Sequence, residues 1–236
     1  MIELTVVDDA EAAARTCAER VAEAIDAARA ARGAAHLALA GGSTPARTYE
    51  LLAQIVADWR DVHLWFGDER CVPLDDADSN HALVARTLLA RLPAGTAPPL
   101  VHALPGAGDG DPPAAAAAYE RELRAALPGA PPILDLALLG LGEDGHSASL
   151  VPDDPVLEER ERLCVAVRGR KPPPDRVTLT LPVLRAARAI VVLTAGAGKA
   201  AAVAGMRTGP SRHVPASLLG DGATVELIAD RAAAGA

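Results

Sequence analysis

Short runs rich in Val, Leu and Ile alternate along the chain with longer segments in which Ala and Leu recur at helical spacing. The short runs predict strands at Glu3 to Val7, His36 to Ala40, Val62 to Phe66, Leu134 to Leu139, Arg176 to Leu181, Ile190 to Leu193 and Val225 to Ile228. The segments between them predict helices from Asp9 to Arg32, Ala46 to Ala57, Ala82 to Leu92, Pro112 to Ala126 and Ala200 to Met206. Asp111 is placed to cap the fourth of these, and Pro112 takes the first helical position, where a missing N–H is tolerated. Strands and helices in alternation predict an α/β fold: a mostly parallel sheet with helices on both faces. Pro93 to Pro113 and Arg168 to Pro174 predict loops. The strand pattern resumes after each, so neither is a domain linker, and residues 1–236 read as a single domain.

Half of the residues are hydrophobic but only 2% are aromatic, so the core is expected to be built from Ala, Val and Leu. The net charge of −8 argues against nucleic acid and against an anionic membrane surface as partners, since both require a basic face. An anionic ligand must therefore meet a local positive site. Cys17, Cys71 and Cys164 are odd in number and lack C-x-x-C spacing, which suggests neither a disulfide framework nor a zinc site. A cytoplasmic location is expected from this, and from an N-terminus that opens with acids and strand formers rather than a basic segment and an apolar run. No apolar stretch reaches membrane-spanning length.

In open α/β sheets ligands bind beyond the carboxyl ends of the strands, so the candidate chemistry is whatever follows each apolar run. Gly41-Gly42-Ser43-Thr44-Pro45 follows the second strand. Its glycines admit a close ligand, Ser43 or Thr44 can cap, and the free N–H groups of the next helix favour an anion. The residues fit a phosphate cradle and equally an ordinary tight turn. Asp68-Glu69-Arg70 follows the third strand, offering a carboxylate for sugar hydroxyls and a guanidinium fork for phosphate, or else a surface ion pair. Cys71 beside them reads as inert, and Asp78-Ser79-Asn80 as a helix cap.

Gly140, Gly142 and Gly145 spell G-x-G-x-x-G after a strand, yet Pro152 and Pro155 interrupt the long helix that a dinucleotide site requires. The same turn holds His146 with Asp144 close by, a placement suited to general base chemistry. Lys199, one of two lysines in the chain, opens a helix, where its charge opposes the helix dipole unless it holds an anion. Gly198-Lys199-Ala200 lacks the flanking residues of a nucleotide triphosphate loop.

Taken together, Gly41 to Pro45, Phe66 to Arg70 with Val72-Pro73 and Ser79-Asn80, Gly140 to Pro152, Arg176 to Leu184 and Gly198 to Ala200 resemble the 6-phosphogluconolactonase family. The resemblance implies a Rossmann-like fold without a nucleotide, shared with glucosamine-6-phosphate deaminases. It implies hydrolysis of a small-molecule sugar-phosphate lactone, with His146 as general base, Asp144 or a nearby backbone group orienting its ring, and no metal or organic cofactor. Gly41, Gly42, Ser43, Thr44, Asp68, Arg70 and Lys199 would bind the substrate. The rival readings are a deaminase or isomerase of amino-sugar phosphates and a non-catalytic sugar-phosphate-binding regulator. Ser149-Leu150-Val151-Pro152 stands where the deaminases carry Phe-Asn-Glu-Pro, and Asp68-Glu69-Arg70 where they carry Asp-Glu-Tyr; both favour the lactonase. His81 departs from the family's usual Tyr. Oligomeric state is not written in the sequence, and a monomer is compatible with it.

Overall fold

A computed structural model describes residues 1–104, 108 and 110–236. Residues 105–107 and 109, inside the loop expected from Pro93 to Pro113, lie outside the described residues. The elements run β1 (Ile2–Val7), α1 (Ala10–Arg32), β2 (Ala35–Leu39), α2 (Ala46–Ile55), β3 (Val62–Phe66), β4 (Asp68–Arg70), α3 (Asn80–Thr87) and β5 (Leu100–Val101). They continue with α4 (Pro112–Ala126), β6 (Leu136–Gly140), β7 (Cys164–Arg168), β8 (Asp175–Leu179), α5 (Leu181–Ala186), β9 (Ala189–Thr194), α6 (Ala200–Arg207), β10 (Val225–Asp230) and α7 (Arg231–Ala234).

Seven strands form one parallel sheet in the order β1-β10-β9-β6-β2-β3-β5. From β2 the chain works outward through β3 to β5, returns to β6 on the other side of β2, and then works outward through β9 and β10. The winding reverses between β2 and β6, so the loops leaving these neighbours diverge and open a crevice at their carboxyl ends. Along β3 the side chains alternate: Val62, Leu64 and Phe66 pack with α1, α2 and α3, while Trp65 packs with α4. Both faces of the sheet are therefore covered, as the pattern of the sequence predicts.

Helix α1 shows how local sequence sets the elements. The Asp9 side chain accepts the Ala12 N–H at 2.8 Å, and Gly33, at φ 82°, closes the other end by donating to the Arg29 carbonyl. Ala14, Cys17, Ala18, Val21, Ile25 and Ala28 recur at three- and four-residue intervals and form its buried face.

A second sheet, antiparallel in the order β4-β8-β7, departs from the single sheet expected. The chain leaves β3 through Gly67, whose N–H donates to the Leu39 carbonyl at 3.0 Å while its own carbonyl accepts the Leu179 N–H at 2.9 Å. One residue thus belongs to the ladders of both sheets. The strand expected at Arg176 to Leu181 is β8 of this smaller sheet and stops at Leu179, because Leu181 and Pro182 begin α5. Strands β4, β5 and β7 were not anticipated; β5 lies inside the stretch expected to be loop. The helix expected over Ala82 to Leu92 is α3, ending at Thr87, followed by a 3-10 turn at Leu89–Arg91.

Candidate active site

The crevice between β2 and β6 is lined by Gly41 to Pro45, Asp68, Arg70, Gly140 to Gly142, His146, Ala148, Arg176 and Lys199. It comprises two adjoining cavities that share Arg70, Gly142, His146, Ala148 and Lys199 as walls, one of about 210 Å³ against the Gly41 to Pro45 loop and one of about 510 Å³ against Glu143, Asp144, Arg170 and Lys171. Nine of the nine residues singled out in the sequence line one or other part.

Gly41 must be glycine: a Cβ there would stand 1.8 Å from Oδ1 of Asn80. Gly42 has φ 88°, a left-handed conformation that turns the chain back across the crevice. Helix α2 begins at Ala46 with Pro45 as its cap and no side-chain capping bond. The capping role expected of Ser43 or Thr44 is therefore not realised, and both hydroxyls are left to the crevice.

Asp68 lies on the crevice wall but is only 8% exposed, with both oxygens engaged. Oδ2 accepts the Ser149 hydroxyl at 2.6 Å and Oδ1 accepts Asn80 Nδ2 at 3.2 Å. Glu69 points the other way and is buried. It accepts the N–H groups of Arg70, Asn80 and His81 at 2.7, 2.8 and 2.8 Å and the Ser79 hydroxyl at 3.1 Å. Burial raises the Glu69 carboxyl above its ordinary value, and those backbone donors partly offset the rise. Glu69 thus closes the start of α3 together with Ser79, whose hydroxyl caps Ala82 as expected. Cys71 has its thiol pushed up to about 11, chiefly by burial, so it stays protonated and unreactive near neutral pH.

After β6 the glycine turn folds onto itself: Gly142 donates to the His146 carbonyl at 2.8 Å and Gly145, at φ 82°, donates to the Gly142 carbonyl at 3.0 Å. These two N–H groups are thus engaged inside the turn and are not free for a developing oxyanion. The turn brings Oδ1 of Asp144 to 2.5 Å from Nδ1 of His146 and 3.2 Å from the His146 backbone N–H. Burial works to raise the Asp144 carboxyl, but its bonds to His146 outweigh that and hold it below its ordinary value. An acceptor at Nδ1 selects, for the neutral ring, the tautomer with the proton on Nδ1 and the lone pair on Nε2. Ala148 follows at φ 50°, a strained conformation for a residue with a Cβ. It sends the flanking serines apart: Ser147 to the Gly140 carbonyl at 2.9 Å and Ser149 to Asp68.

Lys199 reaches across from the end of β9 and donates from Nζ to the Leu141 carbonyl at 2.8 Å. An ammonium carries three donors, so two remain for a ligand. Among the described residues no group of three or more His, Cys, Asp or Glu side chains could hold a metal ion, and no helix is long and apolar enough to cross a membrane.

Three contributors escaped the sequence reading. Asn80 and Ser149 hold Asp68, and Arg176, 9% exposed, places its guanidinium in the crevice wall. Only the pairing of β4 with β8 brings Arg176 there, and that pairing has no local signal.

The family model for glucosamine-6-phosphate isomerases/6-phosphogluconolactonase matches residues 8–228. A 6-phosphogluconolactonase of Streptomyces coelicolor is 42% identical over 86% of this chain and 81% of its own. One from Mycobacterium leprae is 40% identical over 97% and 96%. Among solved structures, the 6-phosphogluconolactonase of Trypanosoma brucei superposes with a TM-score of 0.86 at 28% identity, covering 100% of this chain and 98% of that one. A monomeric glucosamine-6-phosphate deaminase superposes with a TM-score of 0.83 at 22% identity, which shows the shared fold.

Proposed function

The chain belongs to the glucosamine-6-phosphate isomerase/6-phosphogluconolactonase family and is a hydrolase of the sugar-phosphate lactone ester, and from that premise we propose that His146 is its general base. The observation that carries the proposal is the 2.5 Å contact between His146 Nδ1 and Asp144 Oδ1, where the two cavities of the crevice adjoin. With Nδ1 committed to Asp144, Nε2 takes a proton from water as that water attacks C1 of 6-phospho-D-glucono-1,5-lactone. The carbonyl π pair moves onto oxygen; on collapse the C1–O5 bond breaks and O5 receives the proton from His146, and the new carboxylic acid loses its remaining proton to solvent to give 6-phospho-D-gluconate. Asp144 steadies the imidazolium between the two transfers. A lactone is already activated toward water, so a general base and groups that position the substrate can carry the reaction without a cofactor.

Arg70, Lys199 and the Gly41 to Thr44 loop bind the phosphate and hydroxyls, and Asp68 acts from behind them by holding Ser149. Binding at the remote phosphate positions the carbonyl against His146. A cytoplasmic location is supported by three thiols that are all free, two of them buried. The test is turnover of phosphorylated and unphosphorylated gluconolactone by the wild type and by His146→Ala and Lys199→Ala. The reading requires that His146→Ala lose turnover and that Lys199→Ala lower kcat/KM for the phosphorylated lactone more than for the other. Wild-type turnover in His146→Ala sinks the base assignment.

A further inference from the structure

Where this chain needs a left-handed backbone it usually places glycine: among the described residues ten glycines have positive φ, against three residues that carry a Cβ. Two of the three, Asp61 at φ 58° and Asp153 at φ 62°, are of a type whose short polar side chain eases that conformation by local hydrogen bonding. Ala148, at φ 50°, has no such means. It takes the second position of the turn that the Leu150 N–H closes on the Ser147 carbonyl at 3.0 Å, a position that glycine, asparagine or aspartate ordinarily fills when φ is positive. Glycine would allow the same φ and the same serine bonds, from Ser147 to the Gly140 carbonyl and from Ser149 to Asp68. Three residues earlier Gly145 serves in this way at φ 82°. What alanine adds, against the strain, is one methyl group.

That methyl stands where carbon is scarce. Ala148 lines both cavities of the crevice, and the other walls common to the two are Arg70, Gly142, His146, Arg176 and Lys199. Three of these are cations, one is the base and one has no side chain, so among the described residues Ala148 is the one wholly apolar side chain of the shared wall. It packs partly against the hydrophobic core, and its Cβ, having no torsion of its own, goes only where the backbone puts it. The backbone there is held on both sides. Ala216 donates to the Gly145 carbonyl at 3.0 Å, and Ser149 donates from its N–H to Thr178 Oγ1 at 3.3 Å. The methyl of Ala148 and the ring of His146 therefore belong to one short, fixed segment.

We propose that the Ala148 methyl is the stop against which the lactone ring seats, fixing the depth of C1 relative to His146 Nε2. The stop depends on the lactonase reading of the crevice and adds to it a positioning residue. Phosphate, hydroxyls and carbonyl give the substrate its polar contacts, but the ring carbons carry C–H bonds whose partners are van der Waals surfaces. A methyl meets them without competing for any hydroxyl, and its repulsive wall limits approach more sharply than a hydrogen bond does. Attack requires the reacting atoms to stand about 3–3.5 Å apart, and misplacement by about 1 Å costs on the order of a hundredfold. Loss of the methyl opens a gap of that order behind the ring.

The experiment measures kcat and KM for the phosphorylated lactone, and thermal denaturation, in the wild type, A148G and A148S. A148G should lower kcat about tenfold to a hundredfold and raise KM by no more than about fourfold, the worth of one methyl-sized contact. Its Tm should equal the wild-type value or exceed it by up to about 4 °C, because glycine relieves the strain and returns part of that gain to the entropy of the unfolded chain. A variant more stable and less active is not what a merely structural alanine would give. A148S restores a Cβ at the same place and should recover most of kcat, at a Tm no higher than that of A148G. Wild-type kcat in A148G overturns the stop. A Tm below the wild type in A148G, with turnover lost, assigns the methyl to core packing and overturns it equally. Equal kcat in A148S and A148G traces the defect to a loosened turn, again against the stop. If the wild type does not turn over the phosphorylated lactone, the lactonase reading itself falls and takes the stop with it.

Discussion

Nδ1 of His146 and Oδ1 of Asp144 meet at 2.5 Å although only one residue separates them, because Gly145 turns the chain through a left-handed conformation between them. The same oxygen takes the His146 backbone N–H, so the carboxylate orients both the ring and the chain that carries it. His146→Ala is expected to lower kcat by about a hundredfold to ten-thousandfold with a smaller effect on KM, since a base acts chiefly in the transition state. Asp144→Asn should lose a large part of the same factor, because an amide can present its NH₂ to Nδ1 and favour the wrong tautomer. Steady-state kinetics on the phosphorylated lactone decide both.

That pair was legible in the sequence because everything it needs lies within seven residues after one apolar strand. The six other long runs were legible for the same reason, and all but one belong to the parallel sheet. What escaped was pairing between distant segments. Strand β4 has three residues, all charged, and β5 has two, too few for a period to emerge. Without the β4–β8 register, Arg176 reads as the start of another parallel strand and its place opposite Arg70 cannot be seen. Glu69 escaped because a carboxylate between two other charges reads as solvated, while in the fold it is among the more deeply buried groups near the crevice.

Glu69→Gln tests that buried carboxylate. Glu69 accepts from four donors, and glutamine must turn an NH₂ toward at least one of them, leaving an N–H or hydroxyl unsatisfied in the interior. The expected cost is about 1–3 kcal/mol of unfolding free energy, measured by urea denaturation. Asn80, placed by Glu69, holds Asp68, so substrate binding should weaken as well. A variant as stable as the wild type would show that the donors find other acceptors.

A stack of histidines on the α4 face sets an acid limit to stability. His36 stacks on His63 at 4.2 Å and accepts from Trp65 Nε1 at 3.2 Å; His63 Nδ1 is 3.0 Å from His102 Nε2, and His102 Nδ1 is 2.6 Å from Glu122. Burial first, and then His63 and His102, lower His36 to about 4, against a pull upward from Asp135, and His63 is lowered in the same sense by burial and His102, against Asp61. The unfolded chain therefore binds more protons between pH 6.5 and about 4, and stability present above that window is lost as pH falls through it. His36→Gln, which retains an acceptor for Trp65, should flatten the loss. Denaturation free energies at pH 7 and pH 5 for both proteins check this; an unchanged pH slope in the variant would clear His36 of the effect.

The glycines of the crevice turn are not equivalent, and the difference separates a positioning turn from a dinucleotide motif. A Cβ built on Gly142 would stand 2.0 Å from Nδ1 of His146 and 2.7 Å from Oδ1 of Asp144, inside the contact on which the proposed mechanism depends. Neither neighbour can withdraw without breaking that contact. A Cβ on Gly140 would meet no protein atom within 4 Å, and its backbone is not in the left-handed region. Gly142→Ala is therefore expected to lower kcat by at least about tenfold through misplacement of the base, in line with the sensitivity of catalysis to shifts of an ångström. Gly140→Ala should fold with wild-type stability to within about 0.5 kcal/mol, any effect on the reaction coming from its methyl group in the crevice. Kinetics and thermal denaturation of the two variants make the comparison. A Gly142→Ala enzyme with wild-type kcat would mean that the Asp144–His146 contact is dispensable, and the base would have to be sought elsewhere in the crevice.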